Sequence, residues 1–209
     1  MKEEIFQLLI TLVGSEPPIW RRFQVYNDIT FEGLHYIIQA VMGWEGFHSY
    51  EFRCKNYTIL MPGIETSPGH KYIQVHSHKK QLFEMLKRAR QKFTYIYDFG
   101  DNWEHEIIFE KRLPENPEQT YPVCIDGEMA CPPEDIGGIW TFYERLAIAR
   151  NEIENHDREW TKHLKGFFDD YDPRYFNLKE INRQLKRESK LEPGENFTLE
   201  DIVDYYLGA

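Results

Sequence analysis

The sequence predicts an α+β fold in which an antiparallel β-sheet is packed with helices and the C-terminal third is helical. Apolar residues alternate with a period of two in the first half of the chain and recur every three or four residues in the last third. The stretch from Thr94 to Ile107 also holds a clear hairpin, with carboxylates, a Trp and a His beside its turn.

From Ile5 to Val13, Phe6, Leu8, Ile10 and Leu12 alternate with Gln7, Leu9, Thr11 and Val13, which predicts a strand largely buried on both faces. Gly14-Ser15-Glu16-Pro17-Pro18 ends it, and Ile19 to Val25 resumes an extended pattern expected to pair antiparallel with the first strand. Thr30 is a suitable cap for a helix that places Phe31, Leu34, His35, Ile38, Val41 and Met42 on one broad face before Gly43 stops it. Short strands are expected over Phe47 to Arg53 and Tyr57 to Met61, then a loop punctuated by Pro62-Gly63 and Ser67-Pro68-Gly69.

A basic helix is expected near Lys79 to Arg90, with Leu82, Phe83, Leu86 and Ala89 inside. The hairpin follows: Phe93, Tyr95, Tyr97 and Phe99 alternate on one strand, Trp103, His105, Ile107 and Phe109 on the next, with Gly100-Asp101-Asn102 turning the chain. Pro114 to Pro133 reads as a long ordered loop, a type that often carries function. Trp140, Tyr143, Leu146 and Ala147 predict a helix from Ile139 to about Asn155, and further helices are expected near Asp157 to Lys165, Leu178 to Arg187 and Thr198 to Tyr206.

With 209 residues, 41% of them apolar, and no internal repeat or low-complexity linker, residues 1–209 read as one domain with a substantial core. Met1-Lys2-Glu3-Glu4 opens directly into the first strand pattern and the apolar runs are short, so a soluble, non-exported protein with no membrane partner is expected. Cys54, Cys124 and Cys131 form an odd set in a chain large enough to fold without staples, which fits a reducing cytoplasm. The net charge of −10 argues against general affinity for DNA. That charge is uneven: Lys71 to Lys92 carries seven basic residues against Glu84 alone, and Asp98 to Asp135 carries eleven acids against Lys111 and Arg112. Lys79, Lys80, Lys87, Arg88 and Arg90 are therefore a candidate polyanion patch, although such runs are commonly solvated surface.

Four segments in this order resemble the plasmid pRi ORF-three-like family, named for the third open reading frame of a root-inducing plasmid. They are Pro17-Pro18-Ile19-Trp20-Arg21-Arg22, the helix from Leu34-His35 to Gly43-Trp44, Tyr97-Asp98-Phe99-Gly100-Asp101-Asn102-Trp103-Glu104-His105, and Cys131-Pro132-Pro133-Glu134-Asp135-Ile136-Gly137-Gly138. Phe176 to Leu185 is similar to that family's ending. The resemblance spans nearly the whole chain and implies an α+β domain of bacteria and archaea, sometimes carried on plasmids or insertion elements, with no assigned activity. Some relatives are labelled transposon resolvase, but Ser15, Ser49, Ser67, Ser77 and Ser189 lack the arginine setting that phosphoryl-transfer chemistry requires.

Two functions from different classes fit the residues. One is a non-enzymatic binding module for a protein or nucleic-acid partner, presenting the Pro-rich loop and aromatic surfaces, with Trp103, His35, His48 and Glu128 as candidate binding residues and mobile elements as a possible setting. The other is a metal-dependent hydrolase in which Asp98, Asp101, His105, Glu134 and Asp135, with Glu128 nearby, gather around a divalent ion. His35 and His48 are further candidates for that group. Each metal candidate also has a structural reading: His105 shares a face with Trp103, Ile107 and Phe109, Asp98 and Asp101 suit turn capping, and Glu134-Asp135 suits a helix start. Asp98-Phe99-Gly100 lacks the other segments of a kinase, Cys124 and Cys131 lack a second Cys/His pair for zinc, and Tyr171, Pro173 and Arg174 spoil a calcium loop starting at Asp169.

Overall fold

The computed structural model describes residues 4–65 and 69–188. Strands β1 (Glu4–Leu12), β2 (Trp20–Tyr26), β3 (Tyr50–Cys54), β4 (Tyr57–Leu60), β5 (Ile73–His76), β6 (Gln91–Tyr97), β7 (Trp103–Pro114) and β8 (Val123–Glu128) form one sheet in the order β5-β4-β3-β6-β7-β1-β2-β8. Helices α1 (Phe31–Met42), α2 (Leu82–Met85), α3 (Gly138–Ala149), α4 (Arg158–Phe167) and α5 (Leu178–Glu188) complete the described elements. The architecture is α+β. Among the described residues no helix is long and apolar enough to cross a membrane.

β1 pairs antiparallel with β2 and with β7, so it is a central strand. Phe6, Leu8, Ile10 and Leu12 point into the core. The opposite face is buried only in part: Ile5 and Gln7 are buried, Leu9 and Thr11 are half-buried, and the polar groups there are paired. Gln7 donates to Glu110 (2.7 Å), Gln24 donates to Gln7 (3.0 Å), and Arg22 holds Glu110 through both ends of its guanidinium at 2.9 and 3.1 Å. Antiparallel sheets tolerate this because only one face must pack on helices.

α1 lies where the sequence placed it. Thr30 Oγ1 accepts the Gly33 amide at 3.0 Å, and Gly43 ends the helix at φ 84°, a left-handed conformation that costs a glycine nothing. Its buried face packs on the sheet through Phe31, whose ring lies 5.1 Å from Phe52 and 6.0 Å from Phe93. Each fully buried side chain of this size contributes about 1.5–3 kcal/mol. One hydrophobic cluster runs from Phe6 on β1 to Leu185 on α5.

Four expectations are corrected. The sheet is mixed, because β5 pairs parallel to β4 after the 61–72 connection; parallel pairing needs a crossover of about a dozen residues, and a short half-exposed edge strand gives little periodic signal. The expected basic helix is instead a 3-10 turn (Ser77–Lys79), the single turn of α2, and a bend in which Arg90 adopts φ 65°. Leu82 and Leu86 are buried there, but Ala89 is exposed. The expected loop from Pro114 to Pro133 contains β8, which extends the sheet beyond β2. α3 stops at Ala149 rather than near Asn155 and buries Phe142 and Leu146, leaving Trp140 79% exposed. Helices α3, α4 and α5 occupy most of the described C-terminal third, and the helix expected over Thr198 to Tyr206 lies outside the described residues.

The edge at β8 is covered by a side chain acting as backbone. Asn182 on α5 accepts the Cys124 amide and donates to the Cys124 carbonyl, both at 2.8 Å, which closes part of the exposed ladder.

Candidate functional site

Three loops meet at one end of the sheet: 43–49 between α1 and β3, 98–102 between β6 and β7, and 129–137 between β8 and α3. In the first, Trp44 turns back into the core at 3% exposure and donates its Nε1 to the Pro132 carbonyl at 2.9 Å. The Glu45 amide donates to Glu134 at 2.7 Å, tying the first loop to the third. The second is a tight turn with Asp98 at φ 55° and Asn102 at φ 53°. Asp98 Oδ1 accepts the Gly100 amide at 2.8 Å, as turn aspartates do. Asp101 reaches the third loop and accepts the Gly137 amide at 2.9 Å. At Gly138, with φ 79°, a Cβ would run into the Asp101 carbonyl, so glycine permits the close approach of α3 to the turn.

These ties bring His48, Asp98 and Asp135 together. His48 Nε2 lies 3.3 Å from Asp135 Oδ1, and Nδ1 lies 3.8 Å from Asp98 Oδ2. One ligand atom from each residue falls within 4.8 Å of the others. Glu134 is adjacent but committed: besides the Glu45 amide it accepts the Tyr97 hydroxyl at 2.5 Å. Burial, followed by the Glu134 carboxylate, pushes the Tyr97 phenol well up, so it remains a donor. Beside this group lies a cleft of about 470 Å³ whose lining includes Trp44, Phe47, Pro132, Pro133 and Tyr171. Phe47 is 52% exposed at its rim.

The floor is braced by Arg21, which is 3% exposed although charged. Its guanidinium donates to the carbonyls of Val41, Trp20, Glu128 and Met129 at 2.8–2.9 Å and to Cys131 Sγ at 3.4 Å. Burial pushes the Cys131 thiol up to about 11, so it is a neutral thiol at physiological pH.

The other sequence candidates lie elsewhere. His105 is fully buried behind Trp44, whose ring stands edge-on at 5.3 Å, and burial lowers its imidazole to about 3. Neither ring nitrogen makes a hydrogen bond among the described residues, and the neighbouring Trp103 Nε1 makes none. His35 is stacked on Tyr50 at 3.7 Å, bonds Tyr95 at 2.7 Å through Nδ1, and is likewise held down to about 3 by burial. Glu128 is exposed at the end of β8 and accepts Trp20 Nε1 at 3.4 Å. Of the basic set, Lys80 is half-buried against Glu84 at 3.1 Å and Lys87 donates to the Phe83 carbonyl at 2.8 Å, whereas Lys79, Arg88 and Arg90 are exposed. Sequence reasoning passed over Trp44, Glu45, Phe47 and Tyr171 as site residues. Their signal was faint: an aromatic either side of Gly46, just past a helix-ending glycine.

Residues 4–180 match the family described as Plasmid pRiA4b ORF-3-like protein. The uncharacterized protein y4hQ of Sinorhizobium fredii (strain NBRC 101917 / NGR234) is 33% identical over 189 residues, covering 88% of this chain and 92% of that protein. The crystal structure of a protein of unknown function, MM3350, from Methanosarcina mazei Go1 is similar with a TM-score of 0.74 and 33% identity, covering 86% of this chain and 97% of that one. On the family match across most of its length, the chain belongs to the plasmid pRiA4b ORF-3-like protein family.

Proposed function

We propose that the protein is a binding module that uses the three-loop end of its sheet to hold a basic segment of a protein partner. The observation that carries this reading is the cleft beside Trp44, with exposed Phe47 at its rim and the carboxylates Glu45, Glu134 and Asp135 along its wall. An apolar anchor inside an acidic rim favours a cationic, partly apolar peptide over nucleic acid, which the chain's net charge of −10 repels. Phe99 on the β6–β7 turn and Trp140 near the start of α3 are further exposed aromatics. We look for the partner among cytoplasmic proteins of mobile elements, a setting suggested by the plasmid in the family's description.

The metal-dependent hydrolase draws less support. Asp101 and Glu134 are engaged by loop amides and a tyrosine hydroxyl, and His105 lies in the core behind Trp44. The binding reading is tested on an array of Lys/Arg-rich peptides carrying one apolar residue, probed with the wild-type chain and with Phe47→Asp. Retention by the wild type that weakens with salt and is lost in Phe47→Asp is the expected result. Equal retention by both proteins, or by neither, defeats the proposal.

A further inference from the structure

We propose that His48, Asp98 and Asp135 form a divalent-cation site at the mouth of the cleft, suited to Zn²⁺ or Mn²⁺. The inference stands apart from the peptide-binding reading and needs no partner.

The donor set is one imidazole and two carboxylates, each from a different loop. Mixed nitrogen and oxygen donors suit borderline ions, whereas calcium prefers an all-oxygen cage and copper(I) prefers sulfur. The spacing is close to that of a bound ion. Bonds of about 2.0–2.2 Å place tetrahedral ligand atoms about 3.3–3.6 Å apart; His48 Nε2 and Asp135 Oδ1 are at 3.3 Å, and one atom from each of the three residues falls within 4.8 Å of the others. The remaining contraction falls to the mobile members: the Asp135 side chain is 78% exposed and the His48 ring 31% exposed. Asp98, in contrast, is fixed, because Gly100 holds its Oδ1 and its own amide donates to the Ser49 carbonyl at 2.8 Å.

A second observation points to a cation. The Asp98 side chain is 12% exposed; its Oδ1 accepts the Gly100 amide, and its Oδ2 faces His48 Nδ1 at 3.8 Å, beyond hydrogen-bonding range. Two carboxylates facing one imidazole concentrate negative charge that a cation would offset. No lysine or arginine ion pair reaches Asp98 or Asp135 among the described residues; both face only His48. The loops need little reorganisation to receive the ion, since Trp44 to Pro132, Glu45 to Glu134 and Gly137 to Asp101 already join them. Three protein ligands leave a coordination position open for water or an incoming carboxylate.

The test is calorimetric titration of the metal-stripped full chain with Zn²⁺ and Mn²⁺ separately, repeated for His48→Gln and Asp135→Asn. Urea unfolding without metal checks the fold of each variant. Asn tolerates the left-handed backbone of position 135, where φ is 57°, so Asp135→Asn retains its structure if His48→Gln does not. One ion per chain for at least one of the metals, weakened at least ~10-fold in the folded variants, is expected. No binding of either ion at millimolar concentration overturns the proposal. Equal binding by the wild type and both variants also overturns it, since the ion then sits elsewhere.

Discussion

Replacing Arg21 by methionine retains most of the aliphatic stem and removes the guanidinium from a site that holds no carboxylate. All five N–H donors are engaged: Nε with Val41 at 2.9 Å, Nη1 with Trp20 and Glu128 at 2.8 Å each, and Nη2 with Met129 at 2.8 Å and Cys131 Sγ at 3.4 Å. The Val41 carbonyl belongs to the last turn of α1, where the helix dipole favours a cation. The Phe176 ring closes the site with its centroid 5.0 Å from the guanidinium carbon. Hydrogen bonds to a charged group contribute about 1.5–3 kcal/mol each. They do not sum, because the emptied cradle would relax and admit water. Leaving buried carbonyls without donors costs about 1–3 kcal/mol for each one that water does not reach, so a loss of about 3 kcal/mol or more is the expectation for Arg21→Met. Arg21→Lys should be intermediate, since an ammonium cannot reach carbonyls spread around a planar fork or stack on Phe176.

Urea unfolding at pH 7 measures this directly, with free energies from linear extrapolation at a common m-value. Arg22→Met is the control from the same motif. Its guanidinium pairs with Glu110 and Asp126 but is 27% exposed, so a loss of about 1 kcal/mol is expected. A loss below about 1 kcal/mol for Arg21→Met, with m unchanged, would refute the reasoning. It would mean that water replaces the cation in the carbonyl cradle at little cost.

Burial holds the His35 and His105 imidazoles down to about 3, against an ordinary value of 6.5. Their folded pKa lies below the unfolded one, so stability is complete above about pH 6.5 and falls on acidification towards pH 3 by about 1.4 kcal/mol per pH unit per histidine. His105→Leu should therefore reduce that slope by about one histidine's share in urea midpoints measured from pH 4 to 7. It should change stability at pH 7 by no more than about 1 kcal/mol, because both ring nitrogens lack partners; a larger loss would reveal polar partners. Burial raises the Glu110 carboxyl, but hydrogen bonds from Arg22 and Gln7 outweigh it and leave the pKa lowered. Its contribution is present above the unfolded pKa and disappears as pH falls through the folded one, so the stability gap to Glu110→Gln should narrow below about pH 4.3. A gap that is constant from pH 3 to 7 would remove Arg22 as the cause. Gly138→Ala faces positive φ and the Asp101 carbonyl and is expected to cost more than about 1 kcal/mol; a neutral result by thermal unfolding would show that α3 moves freely from the turn.

What the sequence made legible was whatever is periodic over a long span. The β1–β2 and β6–β7 pairs and α1, with Thr30 and Gly43 at its ends, follow from alternation, helical spacing and cap chemistry. β5 and β8 escaped because they are short edge strands, one entered through a crossover and the other embedded in a Pro-rich stretch. The region 79–90 misled for a different reason. Its apolar residues have helical spacing, but Leu82 and Leu86 are satisfied by a single turn, and Arg90, at φ 65°, then leads the chain into β6. In the site, Asp98 and Asp135 were legible as members of a wider carboxylate group with His48 as a further candidate, whereas which members meet was not. Positions 48, 98 and 135 meet through loop geometry that no local pattern encodes.

The segments that carry the family resemblance are bonded to one another, which gives their combination a physical meaning. Arg21 of the Pro-Pro-Ile-Trp-Arg-Arg segment grips Val41 in α1 and Met129 and Cys131 in the third loop. Trp44 grips Pro132, and Tyr97 grips Glu134. Asp101 grips Gly137, beside the glycine that allows α3 to approach the turn. Each contact crosses between segments far apart in the chain, so no segment holds its shape without the others. The side chains in these contacts are structural: a buried arginine, a buried tryptophan, a tyrosine and turn carboxylates. The groups they leave facing the cleft include His48, Phe47 and Asp135, with Asp98 behind His48 at 3.8 Å. A change in Phe47 or Asp135 should therefore alter what the cleft binds without altering the fold, while a change in Arg21 should lower stability first and lose binding only as a consequence. Measuring peptide retention and urea midpoints on the same three variants separates the two roles.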